Sequence, residues 1–62
     1  MNQLRIYRMQ HGFTTTELAN RLGVSIGLVS NIENGRIQPY PLFRKKVSAI
    51  LKTPEKKIFK NG

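Results

Sequence analysis

The chain contains no cysteine, a single histidine and only three acidic residues in 62 positions. Without cysteine there is no disulfide and no thiolate metal site, and His11 alone cannot assemble a metal centre. A chain this short is stabilised by such staples or by well-packed helices, which leaves helix packing. The absence of thiols also fits a reducing, cytoplasmic compartment. No run approaches the ~18 consecutive apolar residues of a membrane span. No apolar run follows Arg5 and Arg8, as a signal peptide would require. Internal repeats, low-complexity tracts and strand-like alternation are missing too. So are paired carboxylates, a nucleophile with a base at a workable spacing, and a glycine-rich phosphate loop. Neither an enzyme nor a cofactor is expected.

What is abundant is positive charge. Eleven Lys and Arg face Glu17, Glu33 and Glu55, for a formal net charge of +8. The charge is uneven: residues 1–31 carry three cations and one acid, residues 32–62 eight cations and two acids. Such a balance favours a polyanion, either nucleic acid or an anionic membrane.

Local signals divide the chain into four or five short helices, an all-α class and one domain over residues 1–62. Leu4, Tyr7 and His11 share a face at helical spacing, and Gly12 suits a left-handed cap. Phe13 is a core candidate. Thr14 and Glu17 form a Thr-x-x-Glu capping box, opening a helix that buries Leu18 and Leu22 and ends at Gly23. Ser25 is a good N-cap for the next helix, ending near Asn34 and Gly35. Pro39 and Pro41 bracket Tyr40 in a loop. A helix from Leu42 to Lys52 then puts Phe43, Val47, Ile50 and Leu51 on one face. Thr53 and Pro54 read as N-cap and first position of a last short turn, with Ile58 and Phe59 packing back.

Two of these helices, joined at Gly23, make a helix-turn-helix candidate over about residues 15–34. Closely crossing helices need a small residue, Ala19. The turn needs a left-handed residue four positions later, Gly23. The second helix must bury Val29 and Ile32 against the first. Leu18, Leu22 and Val24 supply the flanking apolar positions. With Leu4-Arg5, Arg8, Leu18-Ala19, Leu22-Gly23-Val24-Ser25, Val29-Ser30, Ile32-Glu33-Asn34-Gly35 and Pro39, the chain resembles the phage repressor and Cro-like (Xre group) helix-turn-helix proteins over nearly its whole length. The resemblance implies a compact four- to five-helix lambda-repressor-like domain. It implies a sequence-specific double-stranded DNA-binding transcriptional regulator, a repressor in most readings, acting as a homodimer on two half-sites. It also implies that Arg8 and Glu33 form a structural ion pair. Two positions depart from the family pattern: Thr15 replaces a glutamine, and Ile26-Gly27-Leu28 stands where base-reading side chains are usual.

On a wheel of about 100° per residue, with Val29 at 0°, Ile32 falls at about 300° and marks the buried side. Gly27, Asn31 and Asn34 lie opposite, with Ile26 and Leu28 at the edges. The expected base contacts are therefore Ile26, Gly27, Leu28 and Asn31. Asparagine pairs best with adenine, and aliphatic side chains touch thymine methyl groups, so A·T pairs are expected under the recognition helix, about residues 25–34. Expected backbone contacts are Thr14, Thr15, Ser25, Ser30, Asn34, Gly35, Arg36 and Arg44. Lys45 and Lys46 extend the basic face or are simply solvated. Lys52, Lys56, Lys57 and Lys60 act as long-range charge. Ile58, Phe59 and the exposed parts of the last helices are the candidate dimer surface. The rival readings are a protein-interaction module or antitoxin-type partner protein, docking through Ile26 and Leu28, and an interfacial membrane helix at "PLFRKKVSAILK". No membrane partner is expected, because Phe43, Val47 and Leu51 are more simply core. A partner protein remains a route to regulation.

Overall fold

The computed structural model describes residues 2–59. Five helices follow one another: α1 Leu4–Gln10, α2 Thr15–Leu22, α3 Ile26–Glu33, α4 Pro41–Leu51 and α5 Glu55–Ile58. No strand occurs among the described residues.

The helix boundaries follow from short-range hydrogen bonds. Thr14 Oγ1 accepts the Glu17 amide at 3.1 Å while Glu17 Oε1 accepts the Thr14 amide at 2.9 Å, closing the capping box of α2. At the other end Gly23, at φ 74°, lets the Val24 amide reach back to the Ala19 carbonyl at 3.1 Å. This is the doubly bonded left-handed cap that glycine favours. α1 closes the same way, through the Phe13 amide on the Arg8 carbonyl. His11 is therefore the C-cap of α1 rather than a member of its buried face, and it is exposed. The buried positions of α1 are Leu4 and Arg8.

Two expected boundaries shift. α4 begins at Pro41, one residue early, because proline needs no amide at the first helical position. α5 is capped by Pro54 rather than Thr53. Thr53 is spent on closing α4: its amide donates to Ser48 O, its hydroxyl donates to Leu51 O, and its carbonyl accepts from Ser48 Oγ.

Leu4, Leu18, Ala19, Leu22, Val29, Ile32, Phe43, Val47, Leu51 and Ile58 form one core drawn from all five helices. α2 packs on α3 and on α4, and α5 packs on α4. Ala19 is fully buried, as a close helix crossing demands. Each large aliphatic side chain so buried contributes about 1.5–3 kcal/mol. The Gln3 amide donates to Ile58 O at 2.7 Å, tying the start of α1 to α5. This corrects the expected dimer surface. Ile58 has no exposed area, and the Phe59 ring is half-buried at 6.2 Å from Phe43. Ile58 belongs to the interior of the chain, and Phe59 packs partly against it. No helix among the described residues is long and apolar enough to cross a membrane.

Candidate nucleic-acid interface

α2, the turn at Gly23 to Ser25, and α3 make the two-helix unit. Ser25 Oγ accepts the Leu28 amide at 3.1 Å, leaving the amides of Ile26 and Gly27 without an intrahelical acceptor. The first turn of α3 carries no acid, so its partial positive charge faces outward uncompensated. α2 differs. The Glu17 carboxylate folds over its N-terminus, and the Thr14 backbone amide, then the Thr14 side chain, then the Arg21 charge hold it below its ordinary value of 4.5. The Thr14 side chain is thus committed to Glu17, and Thr15 is half-buried beside it.

The outer stripe of α3 is Ile26, Gly27, Asn31 and Asn34. Ile26 is 48% exposed, Gly27 and Asn34 are exposed, and Asn31 is half-buried. A Cβ added at Gly27 would meet nothing within 4 Å, and its φ is not positive. The fold therefore does not demand glycine there, although glycine inside a helix costs up to about 1 kcal/mol relative to alanine. Leu28 packs partly against the core, leaving only a remnant at the edge of the stripe. Ser30 is half-buried on the opposite flank.

The end of α3 is unusually well pinned. The Asn31 carbonyl accepts the amides of Arg36 at 2.9 Å and Ile37 at 3.3 Å, with Gly35 at φ 78° between. Asn2 Nδ2 donates to Ile32 O at 2.9 Å. Arg8 Nε lies 2.6 Å from Glu33 Oε2, and its Nη1 donates to Phe13 O at 2.7 Å. Asn31, Asn34 and Arg36 are thus launched from a fixed backbone. Arg36 is exposed and has no ion-pair partner among the described residues.

Arg44 is placed differently from Arg36. Its Nη1 donates to Pro39 O at 3.0 Å and its Nε lies 3.5 Å from Glu55 Oε1. These contacts brace the α3–α4 loop and α5. Lys46 Nζ reaches Leu22 O at 3.4 Å, a cation on the negative end of α2, whereas Lys45 is solvated. Lys52, Lys56 and Lys57 are exposed, and Lys60 lies outside the described residues. Three supports carry no periodic sequence signal: Asn2 on α3, Lys46 on α2, and Arg21 over the Phe13 ring at 5.0 Å. Only Asn2, a capping-type residue just ahead of α1, could have been found by inspection.

A family model described as a helix-turn-helix domain matches residues 2–54. The chain belongs to the helix-turn-helix domain family. No curated protein matches it. In a helix-turn-helix domain the second helix of the unit enters the major groove and the first crosses the backbone. The two helices of the matching unit in this chain are α2 and α3.

Proposed function

We propose that this helix-turn-helix domain is a sequence-specific transcriptional regulator of the phage repressor and Cro-like (Xre) group. It acts in the cytoplasm as a repressor, with α3 in the major groove of double-stranded DNA and a second copy on a second half-site. One observation carries the reading. All three acidic side chains are engaged elsewhere, Glu17 in the capping box, Glu33 on Arg8 and Glu55 on Arg44. The outer face of α3 therefore offers a polyanion only neutral side chains and free amides, inside a chain of net charge +8.

Within this reading Asn31 is the central base reader, bidentate to adenine, worth about 1–3 kcal/mol of discrimination. Ile26 and the exposed edge of Leu28 meet thymine methyl groups, and Gly27 allows the helix backbone close to the base edges. Thr14, Thr15, Ser25, Ser30, Asn34, Gly35 and Arg36 hold phosphates. Arg44 supports the loop that carries Arg36 and adds charge to the backbone contacts. With a single bidentate side chain per half-site, DNA shape supplies the remaining specificity. With regulation left to concentration or a partner protein, no small ligand is required.

The test is selection from random double-stranded DNA, followed by titration of the recovered sites at two salt concentrations. The expected result is a two-fold symmetric site containing A·T pairs, with Asn31→Ala losing about tenfold in affinity or more and binding that falls steeply with salt. Salt-sensitive binding with no preferred sequence would reject the reading. The exposed Ile26 would then mark a protein-docking helix.

A further inference from the structure

Between the α3–α4 loop, the start of α5 and the residues ahead of α1 lies a cavity of about 350 Å³. DNA binding through α3 makes no use of it. Its apolar wall is Ile37, Pro39 and Phe59, and its charged wall is Arg44, Glu55 and Lys56. We infer that this cavity holds a small aromatic monocarboxylate, and that filling it weakens the grip of the domain on DNA. The binding site stands on the cavity alone, whereas its effect on DNA rests on the DNA-binding reading above.

Size, shape and charge select the ligand. A site of about 150 Å³ already encloses benzene, and small-molecule sites run from about 300 to 1,000 Å³. The volume here suits one ring or two fused rings. The Phe59 ring is half-buried against Phe43, and the part that Phe43 leaves uncovered borders the cavity. A flat ring stacks offset on phenylalanine and flat on a guanidinium. Charge then fixes the head group. Arg44 and Lys56 supply two positive charges and Glu55 one negative, so the wall lacks one negative charge. A dianion would meet Glu55, and a neutral ring would leave Lys56 unanswered. Arg44 spends Nη1 on Pro39 O at 3.0 Å, and its Nε stands 3.5 Å from Glu55 Oε1. Its Nη2 makes no hydrogen bond among the described residues, and Lys56 is exposed with no ion pair among them. A carboxylate between these two cations gains two charge-assisted hydrogen bonds.

The same wall carries the pins of α3. Asn2 Nδ2 on Ile32 O, the Ile37 amide on Asn31 O and the Arg44 guanidinium on Pro39 O all belong to residues that line the cavity. A bound carboxylate competes with DNA phosphates for Arg44 and cancels one positive charge beside the loop that launches Arg36. The sign of the coupling is therefore negative. It is also reciprocal: DNA must lower the affinity for the carboxylate by the same factor.

The probe is 2-naphthoate, titrated into the full chain without DNA and followed by backbone amide chemical shifts. Saturation is expected with a Kd on the order of 0.1–1 mM, with the largest shifts at Ile37, Glu55, Lys56 and Phe59. Glu55→Gln should tighten binding and Lys56→Gln should weaken it, each by about two- to threefold, with thermal melts unchanged because exposed charges contribute little to stability. Lys45→Gln, a solvated cation elsewhere, should leave binding as it was. 2-Naphthamide, the same rings without the charge, should bind about tenfold more weakly. On the DNA site recovered by selection, saturating naphthoate should lower affinity about fivefold. It should also flatten the dependence of log affinity on log salt by about 0.9, one phosphate contact. No saturation by about 10 mM, shifts centred on another face, equal binding of the amide, or unchanged binding in both Glu55→Gln and Lys56→Gln overturns the site. A filled cavity with unchanged DNA affinity overturns its effect on DNA. Failure of naphthoate to bind leaves the DNA reading standing, and failure of the protein to select any DNA sequence leaves the binding site standing.

Discussion

Replacing Glu33 by leucine removes one end of an ion pair that is shielded on both sides, with side-chain exposures of 10% for Arg8 and 8% for Glu33. The guanidinium makes three contacts: Nε at 2.6 Å and Nη2 at 3.4 Å from the two carboxylate oxygens, and Nη1 at 2.7 Å from Phe13 O. Glu33→Leu leaves only the last, stranding a nearly buried cation at a cost of about 3–5 kcal/mol. A domain of this size has a total stability of roughly 3–9 kcal/mol, so the variant sits near its folding threshold. Arg8→Met is as costly, because it strands the carboxylate and also leaves the Phe13 carbonyl without its donor. The double variant removes both charges and retains only the carbonyl penalty of about 1–3 kcal/mol. It should therefore be more stable than either single variant by about 2 kcal/mol, a strongly non-additive cycle. Urea unfolding followed by far-ultraviolet circular dichroism measures all four corners of the cycle. Additive losses, with the double variant the least stable of the set, would refute the account of Arg8 and Glu33 as a coupled pair clamping the end of α3 to α1.

Gly27→Ala should stabilise the fold by up to about 1 kcal/mol, since the new methyl meets no neighbour, yet weaken DNA binding. A more stable protein of unchanged affinity would show that the α3 backbone does not approach the bases closely. Lys52 sits at φ 49°, a left-handed conformation that costs a side chain about 1–2 kcal/mol. Lys52→Gly should therefore raise the melting temperature, by about 4–8 °C for each net 1 kcal/mol. A lowered one would mean that the lysine's contacts outweigh the strain. The Glu17 carboxyl is more acidic folded than unfolded, chiefly through the Thr14 amide and then the Thr14 side chain. Its contribution is thus complete above the ordinary glutamate value and lost as pH falls through the lowered folded one. Thermal melts between pH 6 and pH 3 should show a shallower acid loss in Thr14→Ala than in the unaltered chain, and identical slopes would contradict this.

The local grammar of the chain was legible without coordinates. Thr14 with Glu17, Ser25, Gly12, Gly23 and Gly35 act over two to five residues, through hydrogen bonds that the chain makes with itself. The spacing of Ala19, Gly23, Val29 and Ile32 likewise encodes how two adjacent helices cross, because each depends only on helical periodicity. Tertiary structure decided whatever depended on the element across the core. Ile58 and Phe59 read both as packing back and as a candidate dimer surface; the folded chain buries Ile58 fully and leaves Phe59 half-buried beside Phe43. Leu28 at the edge of the reading stripe is half-buried, packed partly against the core. Arg44 read as a phosphate contact and Lys46 as part of the basic face or simply solvated, but α5 and the α3–α4 loop engage the first and the end of α2 the second. Lys52 adopted a glycine's conformation because Ser48 and Thr53 lock the turn around it. Periodicity assigns a side chain to a face of its own helix. Only the packed molecule determines whether that face meets water, another helix or an opposite charge.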